Sequence, residues 1–259
     1  MSTTEQAPTV ETPDGRRLNL LGGFSLCNGN GPILASATIQ RLLALLALHG
    51  PTMSRLQMAG LLWPEKTDDR ALANLRSALW RVHGGLDPVI ESDTAEVSLR
   101  PAVHVDVHEL ERRCLDAPRP DVPIGELLDF AQLRASDLLP GWYDEWVTFE
   151  RERLRQVHLY GLEALTRALR TAGRSADAVL VGLAVIAREP LRESAHRLVI
   201  QAHLDEGNVV EARRQFELCR GYLRENLGIE PSPSLGAFLD ADLEHAVRVP
   251  RVRPFAHQS

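Results

Sequence analysis

Arg70, Asn74, Ser77 and Arg81 recur at intervals of four, three and four residues. On a helix that spacing sets all four side chains on one face. Guanidinium and carboxamide groups arrayed in this way present planar forks of donors and acceptors. Such forks match the edges of purine bases, Arg to guanine and Asn to adenine. The stretch that carries them, DDRALANLRSALWRV, has no acid after Asp69. Helices that merely face water mix Glu with Arg and Lys, because opposite charges at i, i+4 support them. At about 100° per residue, Ala71, Leu72, Leu75, Ala78, Leu79 and Val82 fall on the opposite side as a core-facing stripe. Arg76 stands on the flank.

Other reactive groupings are weaker. Lys66 is the only lysine and follows Glu65, so the Gly-Lys-Ser/Thr signature of a phosphate loop is absent. In a loop rich in acids it is also a poor candidate for Schiff-base chemistry. His104 and His108 have a helical metal-ligand spacing, but the valines around His104 suggest a strand and Asp106 reads as a helix cap. Asp144, Glu145, Glu150 and Glu152 interleave with Arg151, Arg153 and Arg155, the pattern of a solvated, salt-bridged helix. Trp142 and Trp146, one helical turn apart, read as core anchors. Cys27, Cys114 and Cys219 are odd in number and far apart, which points to reduced thiols in a cytoplasm. Cys114 and Cys219 sit at helical spacing and read as structural. The sequence predicts no metal, no cofactor and no enzyme.

The elements that must position the donor face follow from periodicity. RLNLL alternates, and Asn28-Gly29 and Asn30-Gly31 supply residues that accept positive φ, so residues 17–35 predict two or three short antiparallel strands. SATIQRLLALLALHGP is a helix stopped at Gly50-Pro51. Thr52 or Ser54 caps the next helix, which Pro64 ends. The donor-bearing helix comes third and closes at Gly84-Gly85. Val89-Ile90 and Val97-Ser98-Leu99 flank an acidic turn and predict a hairpin. The order sheet, three helices, hairpin is that of a winged helix with an added N-terminal sheet. In that arrangement Ser54 and Arg55 lie near a nucleic-acid backbone, and Ser92, Thr94 or Arg100 of the hairpin reach phosphate or the minor groove.

Beyond Asp106 the chain reads as helix throughout. The predicted helices include ELLDFAQLRA, a long one from Glu145, and a last one in SPSLGAFLDADLEHAVR. Gly173 and Gly207 lie 34 residues apart, and Asp177-Ala178 and Glu211-Ala212 keep the same offset. That period is the one of tetratricopeptide helix pairs, which stack into a solenoid. The expected fold is therefore an α+β N-terminal winged helix-turn-helix followed by an all-α tetratricopeptide-like helical solenoid. The expected bounds are 1–15 for a disordered leader, 16–105 for the winged helix, 106–247 for the helical domain and 248–259 for a flexible tail. Net charge is −6 overall, but residues 16–105 carry +2 and residues 106–259 carry −5. No apolar run approaches the roughly 20 residues of a membrane span.

Several segments together resemble the SARP family of actinobacterial pathway-specific activators. QRLLALLALHG with SRLQMAGLLWP resembles the family's first two helices, ANLRSALWRV its recognition helix and VDVHELERR its domain junction. LLPGWYDEWVTFERERLR and EPLRESAHRLVIQAHLDEGNVVEARRQFELCRGYLRENLGIEPSPSLGAF resemble its activation domain. The resemblance covers about residues 16–245. It implies an OmpR-type winged helix joined to a bacterial transcriptional activation domain. It implies binding to double-stranded DNA at promoter repeats, contact with RNA polymerase holoenzyme, self-association on DNA, and a short activator with no attached signal-input domain. Two features depart from the family pattern. The wing reads TAEVSL without the Gly-Tyr pair, and the recognition helix ends Val82-His83-Gly84-Gly85 where Leu-Arg-Arg is usual. Contact is then expected to concentrate in the helix's first three turns. The candidate DNA-binding residues are Ser54, Arg55, Arg70, Asn74, Arg76, Ser77, Arg81, Thr94 and Arg100. The alternative is a tetratricopeptide-like interaction module whose winged helix no longer binds DNA.

Overall fold

A computed structural model describes residues 15–28, 31–85, 89–116, 123, 125–127 and 138–237. The leader up to residue 14, the Gly29-Asn30 turn, most of the predicted helix ELLDFAQLRA, the last predicted helix beyond residue 237 and the tail lie outside these residues. The chain forms two compact units. One comprises residues 1–113 and 134–156, the other residues 114–133 and 157–259.

The first unit opens with strands β1 (Arg17–Asn19), β2 (Ser25–Asn28) and β3 (Gly31–Pro32). β1 pairs antiparallel with β2, Leu18 opposite Leu26, and both leucines are buried. Alternation places every second residue inward, as the period of two requires. The expected antiparallel sheet gains a fourth, parallel strand, β7 (His104–Val105), which sets Leu18 beside Val105. Asp106 fixes this junction: its carboxylate accepts from the Leu20 and Leu21 N–H groups at 2.9 Å and begins helix α4 (Asp106–Leu115). Burial pushes its pKa up, against the pull of those N–H donors.

Helix α1 (Ala37–His49) is buried along Leu42–Leu48, which explains its unbroken LLALLAL run. Gly50, at φ 127°, turns the chain out of it. β4 (Thr52–Ser54) then pairs with β6 (Glu96–Leu99), which pairs with β5 (Ile90–Ser92). Between them run α2 (Arg55–Leu62) and α3 (Asp68–Gly85). The hairpin is therefore the wing, and β4 anchors it to the start of α2. The Leu-Leu-Pro-Gly stretch returns to this unit. Leu139 N–H donates to the Leu20 carbonyl, and the Arg151 guanidinium donates to the carbonyls of Leu138, Leu139 and Trp142. Trp142 stacks on Phe24 and meets Trp146 edge-on, as expected of core anchors.

The second unit holds α5 (Glu145–Thr171) from residue 157 onward, α6 (Ser175–Ile186), α7 (Glu193–Asp205) and α8 (Val209–Leu227). Gly173 and Gly207 both adopt φ 74°, so the 34-residue offset is a repeat of the same turn between helices. Ala178 and Ala212, equivalent in that repeat, are both fully buried. Ile200, Ala212, Cys219, Leu223 and Leu235 form one apolar cluster. Burial raises the Cys219 thiol to about 11, which leaves it inert. Among the described residues, no helix is long and apolar enough to cross a membrane.

Candidate nucleic-acid interface

α3 is amphipathic as its sequence demands. Ala71, Leu75, Ala78, Leu79 and Val82 are all at most 3 % exposed, and Leu72 is half-buried. Arg70, Asn74, Arg76, Ser77 and Arg81 are all exposed. Ser77 Oγ donates to the Ala73 carbonyl at 3.1 Å, and Arg81 Nε donates to the Ser77 carbonyl at 3.2 Å. Arg81 is thus laid along the helix with its two terminal nitrogens uncommitted. Among the described residues, no acid pairs with Arg70, Arg76 or Arg81. The acids of this helix, Asp68 and Asp69, occupy its first turn, where they favour the helix dipole.

Ser54 ends β4 and caps α2, accepting from Gln57 N–H at 3.2 Å. The Arg55 N–H donates to the Ala95 carbonyl at 2.9 Å, so the start of α2 is tied to the tip of the wing. The tip itself is built by Asp93, whose carboxylate accepts from the Ala95 and Glu96 N–H groups. Those bonds, with the nearby Arg55 charge, lower its pKa. Ser54, Arg55, Arg76 and Thr94 consequently line one hollow of about 330 Å³, floored by Leu72 and Leu75. Four of the nine expected residues meet here, and Arg70, Asn74, Ser77 and Arg81 share the exposed face of the same helix. Arg100 stands apart. It follows β6 at the base of the hairpin and pairs with Glu91 at 3.2 Å.

Sequence reading missed three features. β4 is three residues long, and its exposed-buried-exposed alternation was its only signal. Leu56 lines the hollow although it is 55 % exposed, and Trp80 projects from the flank of α3 at 78 % exposure. The acids and arginines of residues 144–155 also need correcting, because they are not one solvated face. Glu150 is buried against Arg153, Arg151 is spent on backbone carbonyls, and Arg41 pairs with Asp144. Only Glu152 with Arg155 forms the expected exposed pair, which holds the Glu152 carboxyl down at about 2. His108 donates Nε2 to the Ala47 carbonyl at 2.6 Å. Among the described residues, no group of three His, Cys, Asp or Glu could hold a metal ion.

Comparison with known proteins places this architecture. Residues 126–241 match the family described as the bacterial transcriptional activator domain. The chain is 26 % identical over 246 residues to the regulatory protein AfsR of Streptomyces griseus, covering 89 % of this chain and 25 % of that protein. It is 29 % identical over 218 residues to AfsR of Streptomyces coelicolor, covering 80 % of this chain and 22 % of that protein. It thus spans about a quarter of the length of these relatives. Among solved structures it resembles Mycobacterium tuberculosis EmbR in complex with a low affinity phosphopeptide. The TM-score is 0.63 at 18 % identity, over 90 % of this chain and 66 % of that one, a likeness of fold. With a winged-helix unit, a repeat-built helical unit that matches the bacterial transcriptional activator domain, and these relatives, the chain is similar to transcriptional regulators of the SARP family.

Proposed function

We propose that this chain is a sequence-specific DNA-binding activator that reads the major groove with the exposed face of α3. Arg70, Asn74 and Arg81 address base edges. Ser54, Arg55, Arg76 and Thr94 hold the backbone around their shared hollow, and Arg100 adds charge at the base of the wing. One observation carries this reading: an acid-free row of arginines, none paired with a carboxylate among the described residues, and an asparagine on an exposed helix, beside a hollow where Ser54, Arg55, Arg76 and Thr94 meet. Backbone contacts set register and base contacts set sequence, and the two sets lie on adjacent parts of one unit.

The helical unit contacts RNA polymerase or a second copy of the chain, so that copies bind side by side on promoter repeats. Its repeated helix pairs support this role, since such pairs present extended surfaces for protein partners. Selecting bound duplexes from a random pool tests the DNA reading. A recurring motif, bound selectively in a gel shift at moderate salt, is expected, and no selective complex would overturn it. Exposed Trp80 and Leu56 favour a second reading, in which the winged helix docks on a protein. Under that reading the selection yields no motif and Trp80→Ala abolishes capture of the protein partner.

A further inference from the structure

We infer that a second hollow in the first unit, at the C-terminal end of α2, binds a small neutral aromatic molecule bearing hydrogen-bond acceptors. The cavity measures about 730 Å³, within the roughly 300–1,000 Å³ of small-molecule sites. Trp63 and Pro64 line it after α2, Trp146 and Phe149 from the start of α5, and Arg41 and His49 from α1. Indole and phenyl rings supply the faces on which a planar ligand stacks. His49 already packs edge-on to Trp146 at 5.8 Å between ring centres.

Two donors on these lining residues, Arg41 Nε and Trp146 Nε1, are buried without a hydrogen-bond partner, and Trp146 is only 7 % exposed. Buried donors are normally satisfied, so the pair calls for an acceptor such as a carbonyl oxygen. The charge balance selects against phosphates. Glu65, Asp144 and Glu145 line the cavity against Arg41 and Lys66, and Arg41 is already paired with Asp144. A neutral, mostly apolar body with one or two oxygen acceptors fits this lining. None of its residues belongs to the α3 face or to the hollow beside the wing, so this site stands or falls independently of DNA binding.

Nile red, a neutral planar dye with a carbonyl acceptor, is the probe. Titrated into the full chain it should bind saturably, one per chain, with blue-shifted emission. Gly60 lines the same cavity, lacks a left-handed φ, and has no atom within 4 Å of an added Cβ. Gly60→Phe should therefore fill the space without backbone strain and weaken dye binding at least about tenfold, or 1.4 kcal/mol, with an unchanged circular dichroism spectrum. Phe149→Ala, at a 70 % exposed position, should weaken it several-fold, and Val210→Ala in the other unit should leave it unchanged. The inference is overturned if the wild-type chain shows no saturable binding, or if binding survives both Gly60→Phe and Phe149→Ala. Should Gly60→Phe fail to fold, Phe149→Ala decides.

Discussion

Arg70 and Arg81 share a face but are not equivalent. Arg81 is tethered through Nε to the Ser77 carbonyl, whereas Arg70 has no partner among the described residues. A tethered guanidinium loses less freedom on binding, so its contact is better pre-organised. Each substitution by Ala should cost about 1–3 kcal/mol at the selected site, with Arg81→Ala at the upper end and thermal melting unchanged. Gel shifts on matched and single-base-altered duplexes check this; equal binding by both variants would place readout elsewhere. Ser54 separates stability from binding. Ser54→Ala removes the α2 cap and should lower stability by about 1 kcal/mol. Ser54→Asp keeps a capping oxygen but sets a carboxylate where phosphate is expected, so it should retain the melting temperature and lose DNA affinity. The donor face was legible because a 3.6-residue period needs only local sequence. The Arg100–Glu91 pair and the Arg151 contacts with the Leu-Leu-Pro-Gly turn were not, because both depend on cross-strand register or chain return.

Among elements, the long helices were readable and the short strand β4 was not. At three residues β4 is too short for its alternation to single it out and exists because β6 pairs with it, whereas β7 was legible through the valines that flank His104. The helical unit has a further property that lies in its packing. Gly182 of α6 approaches α7 so closely that a Cβ would sit 2.6 Å from Val199 Cγ2. Gly182→Ala should therefore destabilise the unit by about 1–3 kcal/mol through overpacking, despite improving helix propensity. Two buried groups give the unit a pH profile. His196 is fully buried, with Gln215 on Nδ1 and the Pro190 carbonyl on Nε2, and burial lowers its pKa. Folding then favours the neutral ring, so stability is complete above about pH 6.5 and falls as pH drops below it. Burial alone would raise the Glu163 carboxyl, but Arg192 and Ser194 outweigh it and hold it low. Its contribution is present above about pH 4.3 and is lost as pH falls through its lowered pKa. Melting temperature against pH should show two descending steps. Glu163→Gln should remove the lower one and cost about 3 kcal/mol at neutral pH.

On the scale of the whole chain, charge is partitioned by position. Residues 16–105 carry +2 within a chain of net charge −6. The division between compact units gives no such compositional mark. It falls at Gln156–Val157 inside the continuous helix α5, where the residues change neither in periodicity nor in type, so sequence alone could not locate it. The charge partition has a measurable consequence. A chain this acidic gains little from nonspecific attraction to DNA, so its affinity must come from a few localised phosphate contacts. Arg55, Arg76 and Arg100 are the cations placed beside the wing and the helix starts rather than on the base-reading row. With about three phosphates neutralised, log K should fall with log salt at a slope near −2.7, roughly a 40-fold loss between 50 and 200 mM. Arg76→Ala should flatten that slope by about 0.9 and weaken matched and unmatched duplexes alike. Arg70→Ala should instead narrow the gap between matched and unmatched duplexes, because a base contact carries discrimination. Salt-independent binding would show that no phosphate is neutralised, and a slope as steep for Arg76→Ala as for the wild-type chain would show that phosphate is held by other residues.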